Sequence, residues 1–185
     1  MPQVQAPFVT RQELQEKTAN TLAIPNPEPS SATQSRPRWI QGIVKNLTQF
    51  NLQVRPPAYF YSGRYETWPT EVGAWSVGQF TCVQSENSAS GVTGGNAWNL
   101  YIEPGIEVNL AFGFTCPIIG SYKSGVVESA TAQDGYNMAS AEGNSIVSRD
   151  QFSGVDMYGN GMTIMFEVQC SGGQRPVYTI HQVVC

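Results

Sequence analysis

The residues that could do chemistry in this sequence are few and scattered. The one histidine, His181, lies in the alternating segment Val177–Val183, where a structural role outweighs one as a general base. Glu103 and Glu107 flank Pro104-Gly105 and read as a solvated turn rather than an acid–base pair. Glu66 and Glu71 stand on either side of Pro69, and nothing in that spacing brings them together. Thr93-Gly94-Gly95-Asn96 is glycine-rich but lacks a following helix and lysine, so it reads as a turn and not a phosphate cradle. No nucleophile elbow, P-loop or H-E-x-x-H pattern occurs. Cys82, Cys116, Cys170 and Cys185 form no C-x-x-C pair and have no companion histidines, which argues against zinc. Buried free thiols and one or two disulfides stand as equal alternatives for them. The sequence therefore predicts a protein that is not an enzyme and uses no metal or cofactor.

What remains is recognition by rings and hydroxyls. Pro57–Trp98 holds three of the four tryptophans in short runs broken by glycine and proline. Tyrosine and tryptophan offer a flat apolar body with a hydrogen-bonding tip, suited to membrane interfaces, sugar faces and ammonium groups. Most such rings on strands pack into a core. Tyr65 and Trp68 depart from that expectation because they sit in the polar Gly63–Thr70 connection, and Ser62 precedes them. Tyr59, Phe60, Trp75 and Phe80 read instead as strand residues that define the body of the fold.

Composition narrows the partner class. Only 13% of the 185 residues are charged, net charge is −4, and the ten lysines and arginines are spread thinly, so nucleic acid is excluded as a partner. No apolar run approaches the ~18–20 residues of a membrane-spanning helix. The first residues lack a basic start followed by an apolar core, so no signal peptide is visible.

The elements that must position these residues fall into two parts. Residues 1–38 form an N-terminal arm: Thr10-Arg11-Gln12-Glu13 has the form of a capping box and predicts a short helix to about Ala23. Its apolar stripe is thin, resting on Leu14 and Leu22, and Pro25, Pro27 and Pro29 open a linker; the arm is expected to be largely flexible. Residues 39–185 read as strand after strand. Asn109–Phe114 places apolar side chains at every second position, Met162–Val168 has the content of a core strand, and Ser129–Ile146 reads as a loop or short helix. The sum predicts an all-β sandwich of about eight to ten strands with one or two short flanking helices.

Several of these residues carry a resemblance. Ala58-Tyr59-Phe60-x-Ser62-Gly63, Pro69 and Val72, Thr93-Gly94 with Tyr101, and Leu110-Ala111-Phe112-x-Phe114-Thr115-Cys116-Pro117 resemble the actinoporin pattern of sea-anemone cytolysins, which overlaps the aegerolysin superfamily. Gly42-Ile43 with Asn46 is similar to that family's first core strand and turn. The resemblance implies a β-sandwich that binds lipid head groups, sphingolipid or phosphocholine among them, then releases an N-terminal helix that assembles into a pore as a homo-oligomer on membranes. It implies a secreted or released protein acting at target-cell membranes as a toxin. Within the family's phosphocholine pocket, Ser62 matches a serine, Thr115 and Pro117 match a Ser-x-Pro pair, and Tyr136 matches one tyrosine of a cluster. The chain departs from the pattern at Ile118–Lys123, where Tyr122 is the only ring, and at Ala139 and Ala141, where tyrosines are replaced. A lectin or adhesion module that stacks glycans on the same surface rings is the alternative.

Overall fold

The computed structural model describes residues 1–185. Eleven strands form two sheets that pack face to face, as an all-β sandwich with short flanking helices. The first sheet has the order β3 (Arg64–Thr67), β4 (Ser76–Val83), β1 (Trp39–Leu47), β11 (Val177–Val184), β10 (Gly161–Cys170) and β8 (Ser145–Val147), with β9 (Phe152–Val155) also on β10. The second has the order β2 (Asn51–Ser62), β5 (Val92–Glu103), β6 (Ile106–Cys116) and β7 (Lys123–Val127). All pairings are antiparallel except β1 with β11.

Period-two alternation decides which side chains meet between the sheets. On β6, Leu110, Phe112 and Phe114 are buried toward the other sheet, while Asn109, Ala111 and Gly113 take the outer face. Phe112 stacks on Tyr178 of β11 with centroids 4.5 Å apart and planes 11° from parallel. The Tyr178 hydroxyl donates to the Gly113 carbonyl at 2.6 Å, so a buried polar tip joins the two layers. Phe80 of β4 completes this centre against Phe114, Trp98 and Tyr178. The four cysteines are free, and all but Cys185 are buried.

Three strands are shorter than any reading of the sequence would support, which raises the number to eleven. The Thr93–Asn96 stretch, expected as a turn, lies inside β5. A Cβ on Gly94 would meet the Tyr59 carbonyl oxygen, and one on Gly95 that of Ala132, so both glycines serve close packing. Trp75, expected on a strand, sits in the turn before β4 at φ 55°.

The N-terminal arm is also corrected. The capping box forms as expected on α1 (Arg11–Leu22): Glu13 N–H donates to Thr10 Oγ1 at 3.2 Å, and Thr10 N–H to Glu13 Oε2 at 3.0 Å. A second short helix, α2 (Ser31–Gln34), follows. Instead of being flexible, the arm is built into the sandwich. Residues Pro2–Phe8 run beside β9, with Val4 N–H on Ser153 O and Phe8 N–H on Val155 O, both at 2.8 Å. Val4 and Phe8 are plugged into the core at 3% and 1% exposure. The proline linker is anchored as well, because the Pro27 carbonyl accepts from both Gln41 Nε2 and Arg175 Nη2 at 2.9 Å. Two apolar plugs and satisfied backbone carbonyls outweigh the polar composition that suggested mobility.

Candidate functional site

The outer face of the four-stranded sheet carries a row of glycines where most sheets carry side chains. Gly95 of β5 pairs with Gly113 of β6, and Gly113 with Gly125 of β7. A Cβ on Gly113 would lie 1.9 Å from the carbonyl oxygen of Gly135, and one on Gly95 2.3 Å from that of Ala132. A Cβ on Gly125 would stand 2.7 Å from the backbone of Met138. The row is therefore a seat for α3 (Ala132–Met138), whose backbone rests directly on the sheet. With seven residues, a glycine at its centre and no side-chain N-cap bond, α3 owes its form to this seat more than to intrinsic propensity.

The seat positions Tyr136. Its ring lies parallel to that of Tyr61, 4° between planes and 6.3 Å between centroids, and also meets Tyr59 at 5.3 Å. Phe60, between the two β2 tyrosines, turns into the core against Tyr65 and Phe114. A register shift between Phe60 and Ser62 frees Tyr61 from the regular ladder, and its side chain is 73% exposed.

Beyond α3, toward the end of the sheet, lies the next outward row: Thr93 of β5, Thr115 of β6 and Lys123 of β7, in direct register. Together with Tyr61, Tyr136 and Asn137 they line a cavity of about 410 Å³. The cavity thus combines two threonine hydroxyls, two phenols, an amide and a single ammonium group. A cation with hydroxyl donors suits phosphate oxygens, and parallel ring faces suit an alkyl or ammonium group. The connection from β6 to β7 springs from the paired Thr115 and Lys123, and it carries Ile119 at 90% exposure.

The seven residues singled out from the sequence separate here. Thr115 and Tyr136 line the cavity. Ser62 ends β2 in register with Thr93 but does not line it. Pro117 and Tyr122 belong to the β6–β7 connection, half-buried, with Tyr122 packed against the core beside Cys116. Trp68 is exposed and rests on Tyr65 at 4.8 Å, on the other sheet.

Tyr65 is a correction: it is a core residue, not a displayed ring. Gly63 at φ 86° turns the chain from one sheet into the other, so Tyr65 enters β3 facing inward. Burial pushes its phenol pKa well up, and Asn96 Nδ2 donates to its oxygen at 3.2 Å. The cavity residues that the sequence did not single out are Tyr61, Thr93, Lys123 and Asn137. The alternation of Tyr59 and Tyr61 around Phe60 was the available signal for the first of these.

Asn46-Leu47-Thr48 has the form of a glycosylation triplet, but Asn46 is fully buried and structural: its amide donates to the carbonyls of Phe50, Val72 and Gly73 at 2.7, 3.2 and 3.0 Å.

No known family model matches this sequence, and no curated protein matches it. Some solved structures are similar to it. The likenesses include IP-1A from Alcaligenes faecalis, with a TM-score of 0.44 and 16% identity over 77% of this chain and 89% of that one. RahU protein in complex with a TRIS molecule gives a TM-score of 0.44 and 15% identity over 79% of this chain and 96% of that one. The lipid binding protein Nakanori is similar with a TM-score of 0.53 and 10% identity, over 93% of this chain and 79% of that one. The sandwich architecture of this chain is therefore one that Nakanori shares.

Proposed function

We propose that this chain is a lipid-binding protein that docks on membrane surfaces through the Tyr61–Tyr136 cavity. The observation that carries this reading is the ring of Tyr136, held by the glycine seat parallel to Tyr61 above Thr93, Thr115 and Lys123. The ligand class is a phosphate-bearing head group. Lys123 and the threonine hydroxyls take the phosphate oxygens, and the tyrosine faces take the alkyl or ammonium substituent, as in phosphocholine and sphingolipid head groups. Exposed Tyr61 and Ile119 enter the interfacial region, where an aromatic ring with a polar tip is well placed. The fold shared with the lipid binding protein Nakanori supports the class of ligand.

The finer proposal, a cytolysin whose copies assemble on the membrane and open it, turns on α1. Twelve residues of α-helix are about 18 Å long, against a hydrocarbon core of ~30 Å. No helix of the structure is long and apolar enough to cross a membrane. Withdrawing α1 would also strain the arm ahead of it, which Val4 and Phe8 anchor in the core. Binding is thus the primary expectation, and leakage a separate outcome of the same experiment.

That experiment is flotation and dye release with vesicles of phosphatidylcholine, alone and with added sphingomyelin. The protein is expected to float with at least one composition. Failure to bind either, together with positive binding on a glycan array, would replace this proposal with the lectin-like alternative.

A further inference from the structure

Beyond α3, on the side away from the cavity, the outer face of the same sheet carries a second polar field. Gln53 of β2, Asn99 of β5 and Asn109 of β6 stand side by side in register. Leu52, Trp98, Leu100, Val108 and Leu110 face the core, so alternation sends these three amides outward together. Asn99 Nδ2 donates to Asn109 Oδ1 at 3.3 Å, but Asn99 Oδ1 has no hydrogen-bond partner. It is the one buried side-chain polar atom of the molecule in that position, on a residue with 0% exposure. Buried acceptors of this kind are costly and rare, and they point to a partner the protein does not itself supply.

The surroundings indicate which partner. Arg55 pairs with Ala97 and Glu107 with Tyr101, the residues two before and two after Asn99 on β5. The Arg55–Glu107 ion pair, 4.0 Å long with both side chains more than 40% exposed, therefore crosses diagonally over Asn99. A pair so long and so solvated is weak and opens readily. Tyr101, half-exposed, offers a ring beside it on the same face. One guanidinium and one carboxylate cancel, so neither an anion nor a cation is favoured overall. Three amides, which both donate and accept, match a neutral ligand with many hydroxyls.

We propose that this face is a saccharide-binding site, distinct from the lipid cavity and independent of the lipid-binding proposal. A pyranose lays its apolar face against Tyr101, and the Arg55–Glu107 pair parts to bond ring hydroxyls. One hydroxyl then donates to Asn99 Oδ1, and the Gln53 and Asn109 amides bond its neighbours.

The test is an NMR titration of the ¹⁵N-labelled full chain with galactose, mannose and N-acetylglucosamine at millimolar concentration. The side-chain amide signals of Gln53, Asn99 and Asn109 are expected to shift saturably with at least one sugar. Asn109→Ala and Gln53→Ala, both at partly exposed positions, are expected to weaken that binding roughly tenfold or more while their vesicle flotation stays at the wild-type level. Tyr136→Ala is expected to leave the sugar titration unchanged. Absence of saturable shifts with all three sugars, or wild-type sugar affinity in both amide variants, would overturn the proposal whatever the vesicle result.

Discussion

Replacing Gly113 with alanine tests whether the glycine seat is what presents Tyr136. The new methyl would stand 1.9 Å from the Gly135 carbonyl oxygen, 2.4 Å from its carbon and 2.8 Å from the Tyr136 nitrogen. Ordinary contact begins near ~3.5 Å, so α3 must lift by about 1.5 Å at its centre. None of the three contacts is with the tip of a flexible side chain; all are backbone, so none can give locally. Overpacking of this kind costs ~1–3 kcal/mol. At about 2–4 °C per kcal/mol for a chain of this size, Tm falls by roughly 2–12 °C. Lifting α3 also separates Tyr136 from Tyr61, an aromatic contact worth ~0.5–1.5 kcal/mol, so vesicle affinity drops by roughly two- to tenfold. Differential scanning fluorimetry and vesicle flotation read the two effects. Gly161→Ala serves as the control, because a Cβ there meets nothing within 4 Å. A variant at Gly113 that melts with the wild type would refute the seat. One that melts early yet binds vesicles at full affinity would refute the link between the seat and the site.

Other consequences can be measured separately. Phe8→Ala empties a core position 1% exposed and is expected to cost ~3–5 kcal/mol in urea unfolding, where a loose arm would give almost no change. Asn46→Ala leaves three carbonyls without their shared donor and is expected to cost ~2–4 kcal/mol by the same measurement. Burial lowers the pKa of His181, although Glu167 opposite it on β10 pulls the other way. The unfolded chain therefore takes up the proton first, so this contribution to stability is complete above about pH 6.5 and is lost as pH falls through the folded pKa. The acid-side fall in Tm of the wild type should be steeper than that of His181→Gln between about pH 7 and 5; parallel profiles would contradict this.

The legible parts of the sequence were those governed by a local period. Leu110, Phe112 and Phe114 announce a half-buried strand, Met162–Val168 a core strand, and Thr10 with Glu13 a helix start, because each depends on neighbours a few positions away. What was hidden depends on pairing between distant segments. Gly95, Gly113 and Gly125 look like unrelated glycines until two strand pairings align them, and only then does a seat for α3 exist. Thr93, Thr115 and Lys123 become a row by the same pairings. Val4 and Phe8 read as isolated apolar residues among Gln and Pro, because their partners lie some 150 positions away on β9. Tyr65 reads as a displayed ring in the sequence because its polar neighbours mask the change of sheet at Gly63.

The central claim, that the rings of Tyr61 and Tyr136 meet lipid, is tested most directly by flotation of the double variant Tyr61→Ala/Tyr136→Ala beside the wild type. Sphingomyelin-containing phosphatidylcholine vesicles are the probe, and unchanged strand content by circular dichroism is the control. Wild-type protein rising with the vesicles while the double variant stays at the bottom is the predicted result; equal flotation of the two would contradict it.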